Sequence, residues 1–135
     1  MLRDDKGAGV NQTFVLLIED NPEICKLLEI LVRRLGGESR SAASLHEAAL
    51  LLKTTPVRLA FVDYILADGI GIGLAAEIKA SNPGARVVLL TARDEPTLLD
   101  DVAKAGFDAY LAKPFTLEAI AREFALSAPA EGASA

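Results

Sequence analysis

Cysteine is almost absent from this 135-residue chain, which contains only Cys25. A single cysteine excludes an intrachain disulfide and a cysteine metal cluster. Long apolar runs are also missing, so no segment is predicted to span a bilayer. Residues 1–13 have no apolar core of the kind that indicates a signal peptide. These absences predict a cytoplasmic protein without a membrane segment.

Positive charge is scarce as well. The chain has 14 Lys and Arg residues and 19 Asp and Glu residues, which gives a net charge of -5. A nucleic-acid-binding domain usually has an excess of basic residues on one face, so the charge balance argues against a nucleic-acid partner. His46 is the only histidine and falls inside a predicted helix, which makes it a poor candidate for a phosphohistidine carrier. The length predicts one domain.

Five short strands are predicted, each followed by a helix. The apolar run at residues 14–18 is the first, and strand-like segments follow near residues 38–42, 59–62, 87–90 and 108–112. The second segment is polar, which suits an edge strand, whereas continuous apolar strands are typical of a sheet covered on both faces. Five such units predict an α/β protein with a parallel sheet.

Helix starts are indicated by capping residues. Asn21, Ser44 and Thr116 are predicted to begin the first, second and last helices. The first helix is expected to bury one apolar face made of Ile24, Leu27, Leu28, Leu31 and Leu35. The last helix is expected to bury Leu117, Ile120 and Phe124.

Polar residues stand where the apolar strands end. Glu19 and Asp20 follow the first strand, Asp63 the third, Thr91 the fourth and Lys113 the fifth. Ligands of open α/β sheets bind at the carboxyl ends of the strands, so we expect these side chains to meet at one edge. Three neighbouring carboxylates need a divalent cation, and oxygen ligands suit Mg²⁺. One carboxylate can then act as a nucleophile toward phosphorus, with the metal and the lysine neutralising the phosphoryl charge.

With these residues in place, the sequence resembles the receiver domain of two-component response regulators. The matching stretches are VLLIEDNPE, LAFVDYILADGIGIG, RVVLLTA and DAYLAKPF. The resemblance implies a flavodoxin-like, doubly wound (βα)5 fold with a parallel five-stranded sheet in the order 2-1-3-4-5. We expect the receiver domain to cover residues 14–127, between a flexible N-terminal segment at residues 1–13 and a flexible tail at residues 128–135.

The resemblance also implies a phosphorylation site and its metal ligands. Asp63 matches the phosphoaccepting aspartate, which is also a metal ligand. Asp20 matches a direct Mg²⁺ ligand, Glu19 matches a carboxylate that acts through water, and the backbone carbonyl of Ile65 matches the third protein ligand. The bond between Lys113 and Pro114 matches one that is usually cis in the family.

Further roles follow from the same resemblance. Thr91 and Lys113 match the residues that contact the phosphoryl group, and Thr91 and Tyr110 match the switch pair. Ile65 and Arg93 match the positions that flank the path of the hydrolytic water. Because Ile65 cannot orient a water and Arg93 is long enough to shield the phosphoryl oxygens, we expect a fairly long-lived phosphoaspartate.

The loop after Asp63 departs from the family pattern. Ala67 stands where the family usually has proline, and Ile70 precedes Gly71 where an acid, Asn or Ser is usual. A less rigid loop is therefore expected. No residue needed for phosphorylation is missing.

The function implied by the resemblance is that of a signalling phosphoacceptor and not of a classical enzyme. The chain would take a phosphoryl group from a histidine kinase or histidine phosphotransfer protein and present a changed face to a downstream protein target. A monomer is expected, with phosphorylation-dependent dimerisation left open, and no nucleic-acid or membrane partner. A stand-alone receiver is expected because little chain follows residue 127. Two alternatives are a receiver-like interaction module that works without phosphorylation and a receiver fragment of a longer regulator or hybrid kinase.

Overall fold

Five parallel strands form one sheet in the computed structural model, which describes residues 12–92 and 96–127, with the backbone alone for residues 96–99. The strands are β1 (Phe14–Ile18), β2 (Ser39–Ala42), β3 (Val57–Asp63), β4 (Arg86–Thr91) and β5 (Ala109–Ala112). The helices are α1 (Pro22–Arg34), α2 (Leu45–Leu52), α3 (Leu74–Ser81), α4 (Pro96–Lys104) and α5 (Leu117–Leu126). The spatial order β2-β1-β3-β4-β5 confirms the predicted 2-1-3-4-5 sheet and the flavodoxin-like fold.

The register of the sheet aligns the carboxyl ends of the strands. Ile18 on β1 lies beside Ala42 on β2 and Val62 on β3. Asp63 lies opposite Leu90 on β4. The strand order reverses between β1 and β3, which is where an open α/β sheet forms its ligand crevice. The residues that follow β1 and end β3 are therefore neighbours in space.

Apolar layers cover both faces of the sheet, because successive residues of a strand point to opposite sides. One layer joins β1 and β3 to α1 and α5 and contains Val15, Leu17, Leu28, Val32, Phe61 and Ile120. The other joins the sheet to α2, α3 and α4 and contains Leu16, Ile18, Ala48, Leu74, Ile78 and Val102. This two-sided burial explains the continuous apolar runs of the central strands.

Two predicted helix faces need correction. In α1 the buried residues are Leu28 and Val32, whereas Leu27 is 48% exposed. One residue step turns a helix by about 100°, which carries Leu27 away from the Leu28–Val32 stripe. In α5 Ile120 is buried, but Leu117 occupies the first turn and is 56% exposed.

A short hairpin follows β3 and was not predicted. Its antiparallel strands are Ile65–Leu66 and Gly69–Ile70, and a 3₁₀ turn at Gly71–Gly73 leads into α3. The glycines of this segment predict only a loop. The hairpin places residues of that loop in fixed register next to the end of β3.

The proposed domain boundaries stay a prediction, because residues 1–11 and 128–135 lie outside the described part of the chain. Within the described part, no helix combines the length and the apolar character needed to cross a membrane.

Candidate phosphoacceptor site

Asp63 is the last residue of β3 and lies at the centre of the site. It is only 7% exposed, and its Oδ1 lies 3.2 Å from the Nζ of Lys113. Lys113 follows β5, and its backbone N–H donates a 2.7 Å hydrogen bond to the carbonyl of Thr91 at the end of β4. The Lys113–Pro114 bond is cis, as predicted. Three neighbouring strands thus bring Asp63, Thr91 and Lys113 together.

Glu19 is buried beside them and is held at both carboxylate oxygens. Its Oε1 accepts a 2.9 Å hydrogen bond from Lys113 Nζ, and its Oε2 accepts a 3.1 Å bond from the backbone N–H of Asn21. Asn21 in turn caps α1 by accepting a hydrogen bond from the N–H of Glu23 at 2.9 Å. Lys113 therefore bridges Glu19 and Asp63, and the start of α1 fixes the far side of Glu19.

Three carboxylates converge at this point. Glu19, Asp20 and Asp63 each offer one oxygen, and these oxygens all lie within 4.8 Å of one another. Asp20 is exposed, whereas the other two are buried. Hard oxygen donors on a site with one open side fit Mg²⁺, which usually keeps several waters and binds to one or two carboxylates. The residues present therefore suit that ion.

Burial raises the pKa of Asp63 from its ordinary value of 3.8 to about 6, and the negative charge of Glu19 adds to this rise, while Lys113 opposes it. Burial acts to lower the pKa of Lys113, but the hydrogen bond and charge of Glu19, together with the charge of Asp63, raise the pKa overall. Lys113 thus remains a cation at neutral pH. Without a metal ion, ionisation of Asp63 is therefore unfavourable relative to ionisation in water. A nearby divalent cation would favour the ionised form.

A cavity of about 210 Å³ opens beside Asp63. It is lined by Asp63, Tyr64, Ile65, Thr91, Ala92 and Lys113. Thr91 is buried, so its hydroxyl belongs to the wall of the site. Tyr110 is half-buried on β5 against the apolar layer of α2, α3 and α4. The switch role of Thr91 and Tyr110 stays a prediction.

Two residues, Ile65 and Arg93, are predicted to control phosphate lifetime. Ile65 is 60% exposed at the mouth of the cavity. Arg93 lies outside the described residues. The long-lived phosphoaspartate therefore stays a prediction.

A larger cavity of about 760 Å³ lies where β3 and β4 begin, at the opposite end of the sheet. Two of the cations that line it are engaged with carboxylates, because Arg86 contacts Glu123 at 2.6 Å and Lys79 contacts Asp108 at 2.9 Å. The converging carboxylates and the lysine make the carboxyl edge the better candidate site despite its smaller cavity.

Gly71 has a steric role that spacing alone did not explain. Its N–H donates a 2.8 Å hydrogen bond to the carbonyl of Tyr64, and a Cβ at this position would collide with the carbonyl oxygen of Asp63. Only glycine lets the chain return this close to the end of β3. The signal in the sequence was the glycine eight residues after Asp63.

Residues 15–125 match the family model of the response regulator receiver domain, so the chain belongs to this family. It is 35% identical over 102 residues to the response regulator protein PilR of Pseudomonas aeruginosa. The aligned region covers 76% of this chain and 23% of PilR. It is 29% identical over 108 residues to the probable transcriptional regulatory protein TcrX of Mycobacterium tuberculosis, covering 78% of this chain and 45% of TcrX. The chain thus spans less than half the length of these relatives.

Solved structures confirm the receiver fold. A two-component response regulator from Clostridium difficile has a TM-score of 0.80 at 26% identity, covering 86% of this chain and 95% of that one. A response regulator protein from Burkholderia pseudomallei, solved with a phosphorylated aspartic acid, a calcium ion and citrate, has a TM-score of 0.78 at 27% identity and covers 92% of this chain and 74% of that one. Receiver domains are signalling phosphoacceptors, not classical enzymes, and they bind Mg²⁺ at an acidic pocket with which the Glu19–Asp20–Asp63 group is compatible.

Proposed function

We propose that Asp63 accepts a phosphoryl group from a phosphohistidine on a histidine kinase or a histidine phosphotransfer protein. The observation that carries this proposal is the convergence of three carboxylate oxygens within 4.8 Å beside the ammonium group of Lys113. Mg²⁺ would be held directly by Asp20, by Asp63 and by the backbone carbonyl of Ile65, and through water by Glu19.

In the transfer step, a carboxylate oxygen of Asp63 attacks phosphorus and forms the new P–O bond. The P–N bond to the donor histidine breaks, and its electron pair stays on the imidazole nitrogen. When bound by these residues, Mg²⁺ would supply positive charge that offsets the charge of the transferring phosphoryl group. Lys113 supplies a second cation from within the protein, and its contacts with Glu19 and Asp63 fix where that charge lies. Thr91 offers a hydroxyl to the product phosphate.

The ionisation state of Asp63 is compatible with this role. With its pKa raised to about 6, most Asp63 side chains carry the negative charge of the nucleophile at neutral pH. The Burkholderia pseudomallei response regulator, which has a similar fold, was solved with a phosphorylated aspartic acid and a calcium ion, and this supports the same chemistry for the present chain.

Incubation with acetyl phosphate and Mg²⁺ is expected to add one phosphate, which peptide mapping should locate at Asp63. The matched variant Asp63→Asn keeps the size of the side chain but lacks the nucleophilic carboxylate, so it should take up no phosphate. Chelation of Mg²⁺ should suppress labelling of the wild type. Phosphate uptake by Asp63→Asn at the wild-type rate would refute the assignment, and a wild type that is never labelled would favour an interaction module that works without phosphorylation.

We also propose that Thr91 and Tyr110 couple the phosphate to a protein-binding face. Thr91 lines the cavity beside Asp63, and its carbonyl is hydrogen-bonded to the N–H of Lys113. Movement of Thr91 toward a phosphoryl group would vacate space next to Ala92 for the half-buried ring of Tyr110. The face made by α4, β5 and α5 would then change through a population shift between two states.

Addition of beryllium fluoride and Mg²⁺ is expected to shift backbone NMR signals mainly within residues 91–115. The variant Thr91→Val keeps the branched shape but removes the hydroxyl, and it should reduce the shift at Tyr110 while the signal of Asp63 still responds. Shifts confined to α1 would contradict this switch.

Receiver domains interact with histidine kinases and with downstream effectors. For this chain we propose a cytoplasmic monomer that signals to a downstream protein target. The names of PilR and TcrX describe regulators that are longer than this chain. A receiver within a longer regulator would use the same residues around Asp63. The proposed chemistry therefore holds for a stand-alone receiver and for a receiver that is part of a longer protein.

A further inference from the structure

Asp68 ties the hairpin after Asp63 to the beginning of α2. Its Oδ1 accepts a 2.9 Å hydrogen bond from the N–H of Leu45, and its Oδ2 accepts a 3.1 Å bond from the N–H of His46. The bond from Leu45 lowers the pKa of Asp68, so its carboxylate is charged at neutral pH. A negative group also interacts favourably with the positive end of a helix. We refer to these two hydrogen bonds as the Asp68 clasp.

The neighbouring residue shows how closely the two segments approach. Gly69 has a φ of +147°, and a Cβ there would lie 2.8 Å from the Cδ1 of Leu45. Leu66, on the other strand of the hairpin, is buried in the same apolar layer against which Leu45 packs. The turn of the hairpin is therefore seated on α2, and the Asp68 clasp is the polar part of that contact.

The hairpin carries the carbonyl that the proposed function assigns to the metal. Antiparallel pairs alternate between hydrogen-bonded and non-hydrogen-bonded positions. Because Gly71 N–H donates to the Tyr64 carbonyl, we expect the next pair, Ile65 and Ile70, to be of the non-hydrogen-bonded kind. The Ile65 carbonyl would then point away from the hairpin and remain available to a cation.

Each strand of the hairpin has only two residues, and an isolated two-stranded hairpin is at best marginally stable. Ala67 precedes Asp68 in the turn, so the turn has no proline to restrict it. The position of the Ile65 carbonyl must then depend on what holds the hairpin from outside. The Asp68 clasp supplies a polar attachment at its turn.

We propose that Asp68 is a positioning residue for the metal site, acting through the hairpin on the Ile65 carbonyl. This inference rests on the proposed function, because it assumes that the site binds Mg²⁺. Coupling between two sites is reciprocal, so the metal should also tighten the Asp68 clasp and steady the beginning of α2.

The test compares Asp68→Ala with Ser44→Ala, because each variant removes one side chain that accepts hydrogen bonds at the beginning of α2. Ser44 caps the same helix by accepting a 3.1 Å hydrogen bond from Glu47 N–H, but it is not part of the hairpin. Asp68→Ala should weaken Mg²⁺ binding on the order of tenfold, as the loss of a supporting contact behind a metal ligand typically does. Ser44→Ala should leave the Mg²⁺ affinity close to that of wild type, although both variants should unfold at lower temperature. Asp68→Asn keeps one acceptor oxygen and should fall between wild type and Asp68→Ala.

Calorimetric titration with Mg²⁺ gives the affinities, and hydrogen exchange gives an independent readout. In wild type, Mg²⁺ should slow exchange of the Leu45 and His46 amides, and this protection should be lost in Asp68→Ala. Equal Mg²⁺ affinity in wild type and Asp68→Ala would overturn the inference while leaving the proposed function intact. Equal weakening by Ser44→Ala would also overturn it, since the effect would then come from α2 stability alone. A wild type that binds no Mg²⁺ would overturn both.

Discussion

Asp20→Ala is expected to weaken Mg²⁺ binding by about a hundredfold, at the upper end of what the loss of supporting contacts alone causes. Asp20 is the exposed member of the three converging carboxylates, so a hydrated ion that approaches from solvent contacts it before the other two. Its removal leaves too little negative charge to compete with the hydration shell of Mg²⁺.

Glu19→Ala is expected to weaken Mg²⁺ binding much less. Both oxygens of Glu19 already accept hydrogen bonds, one from Lys113 and one from Asn21. These bonds favour contact between Glu19 and the ion through water. Removal of the Glu19 side chain should act chiefly through Lys113, which would then keep its ion pair with Asp63 but lose the one with Glu19.

Calorimetric titration with Mg²⁺ at constant ionic strength would measure both effects. Asp101→Ala is a suitable control, because Asp101 is an exposed aspartate in α4 and its loss changes the net charge by the same amount. The control should bind Mg²⁺ with wild-type affinity. If Asp20→Ala retains that affinity, or if Glu19→Ala loses more of it than Asp20→Ala, the assignment of Asp20 as the direct ligand is wrong.

The gathering of the site residues could be predicted from the sequence because it depends on topology. Apolar runs indicate strands buried on both faces, and parallel strands of similar length end at the same edge. Glu19, Asp63 and Lys113 are far apart in the chain, yet each directly follows or ends such a run. In the structure, the Nζ of Lys113 lies within ion-pair distance of both Glu19 and Asp63.

Details that depend on the angle of a helix or on contacts between distant segments could not be predicted in this way. Leu27 and Leu117 lie at the margins of their apolar faces, and only packing against the sheet decides which residues are covered. Asp68 looks like a turn residue before Gly69, and no local pattern indicates that it reaches the amides of α2. The hairpin could not be predicted because strands of two residues are too short to show an alternation of apolar and polar residues.

Asp63→Asn is expected to stabilise the metal-free protein at neutral pH, although the same change is expected to abolish phosphorylation. Burial and the charge of Glu19 raise the pKa of Asp63 from 3.8 to about 6 in the folded state. Below pH 3.8 the side chain is protonated in both states and has no effect on stability. Between pH 3.8 and about 6 the unfolded chain loses the proton first, so stability falls as the pH rises. Above pH 6 the full cost of the buried charge is present.

The size of this cost follows from the interval between the two pKa values. At about 1.4 kcal/mol per pH unit it is at most about 3 kcal/mol, and partial solvation of the site reduces it to roughly 1–2 kcal/mol. Asparagine can still accept a hydrogen bond from Lys113, which also keeps its 2.9 Å contact with Glu19. The variant therefore removes the charge without removing the lysine's main partner.

Urea unfolding in the presence of a chelator would measure the difference in free energy of unfolding between Asp63→Asn and wild type. The difference should be small near pH 4 and should grow to roughly 1–2 kcal/mol in favour of the variant by pH 7, because the wild type loses stability as Asp63 ionises in the folded state. Asp108→Asn provides a control of equal charge change at the other end of the sheet, where Asp108 pairs with Lys79 and accepts a hydrogen bond from Val87 N–H, and it should not be stabilising. Added Mg²⁺ should stabilise the wild type and narrow the gap, since binding to the folded state raises its stability by mass action. A metal-free Asp63→Asn protein that is less stable than wild type at pH 7 would show that the contact with Lys113 outweighs the cost of burying the Asp63 charge beside Glu19.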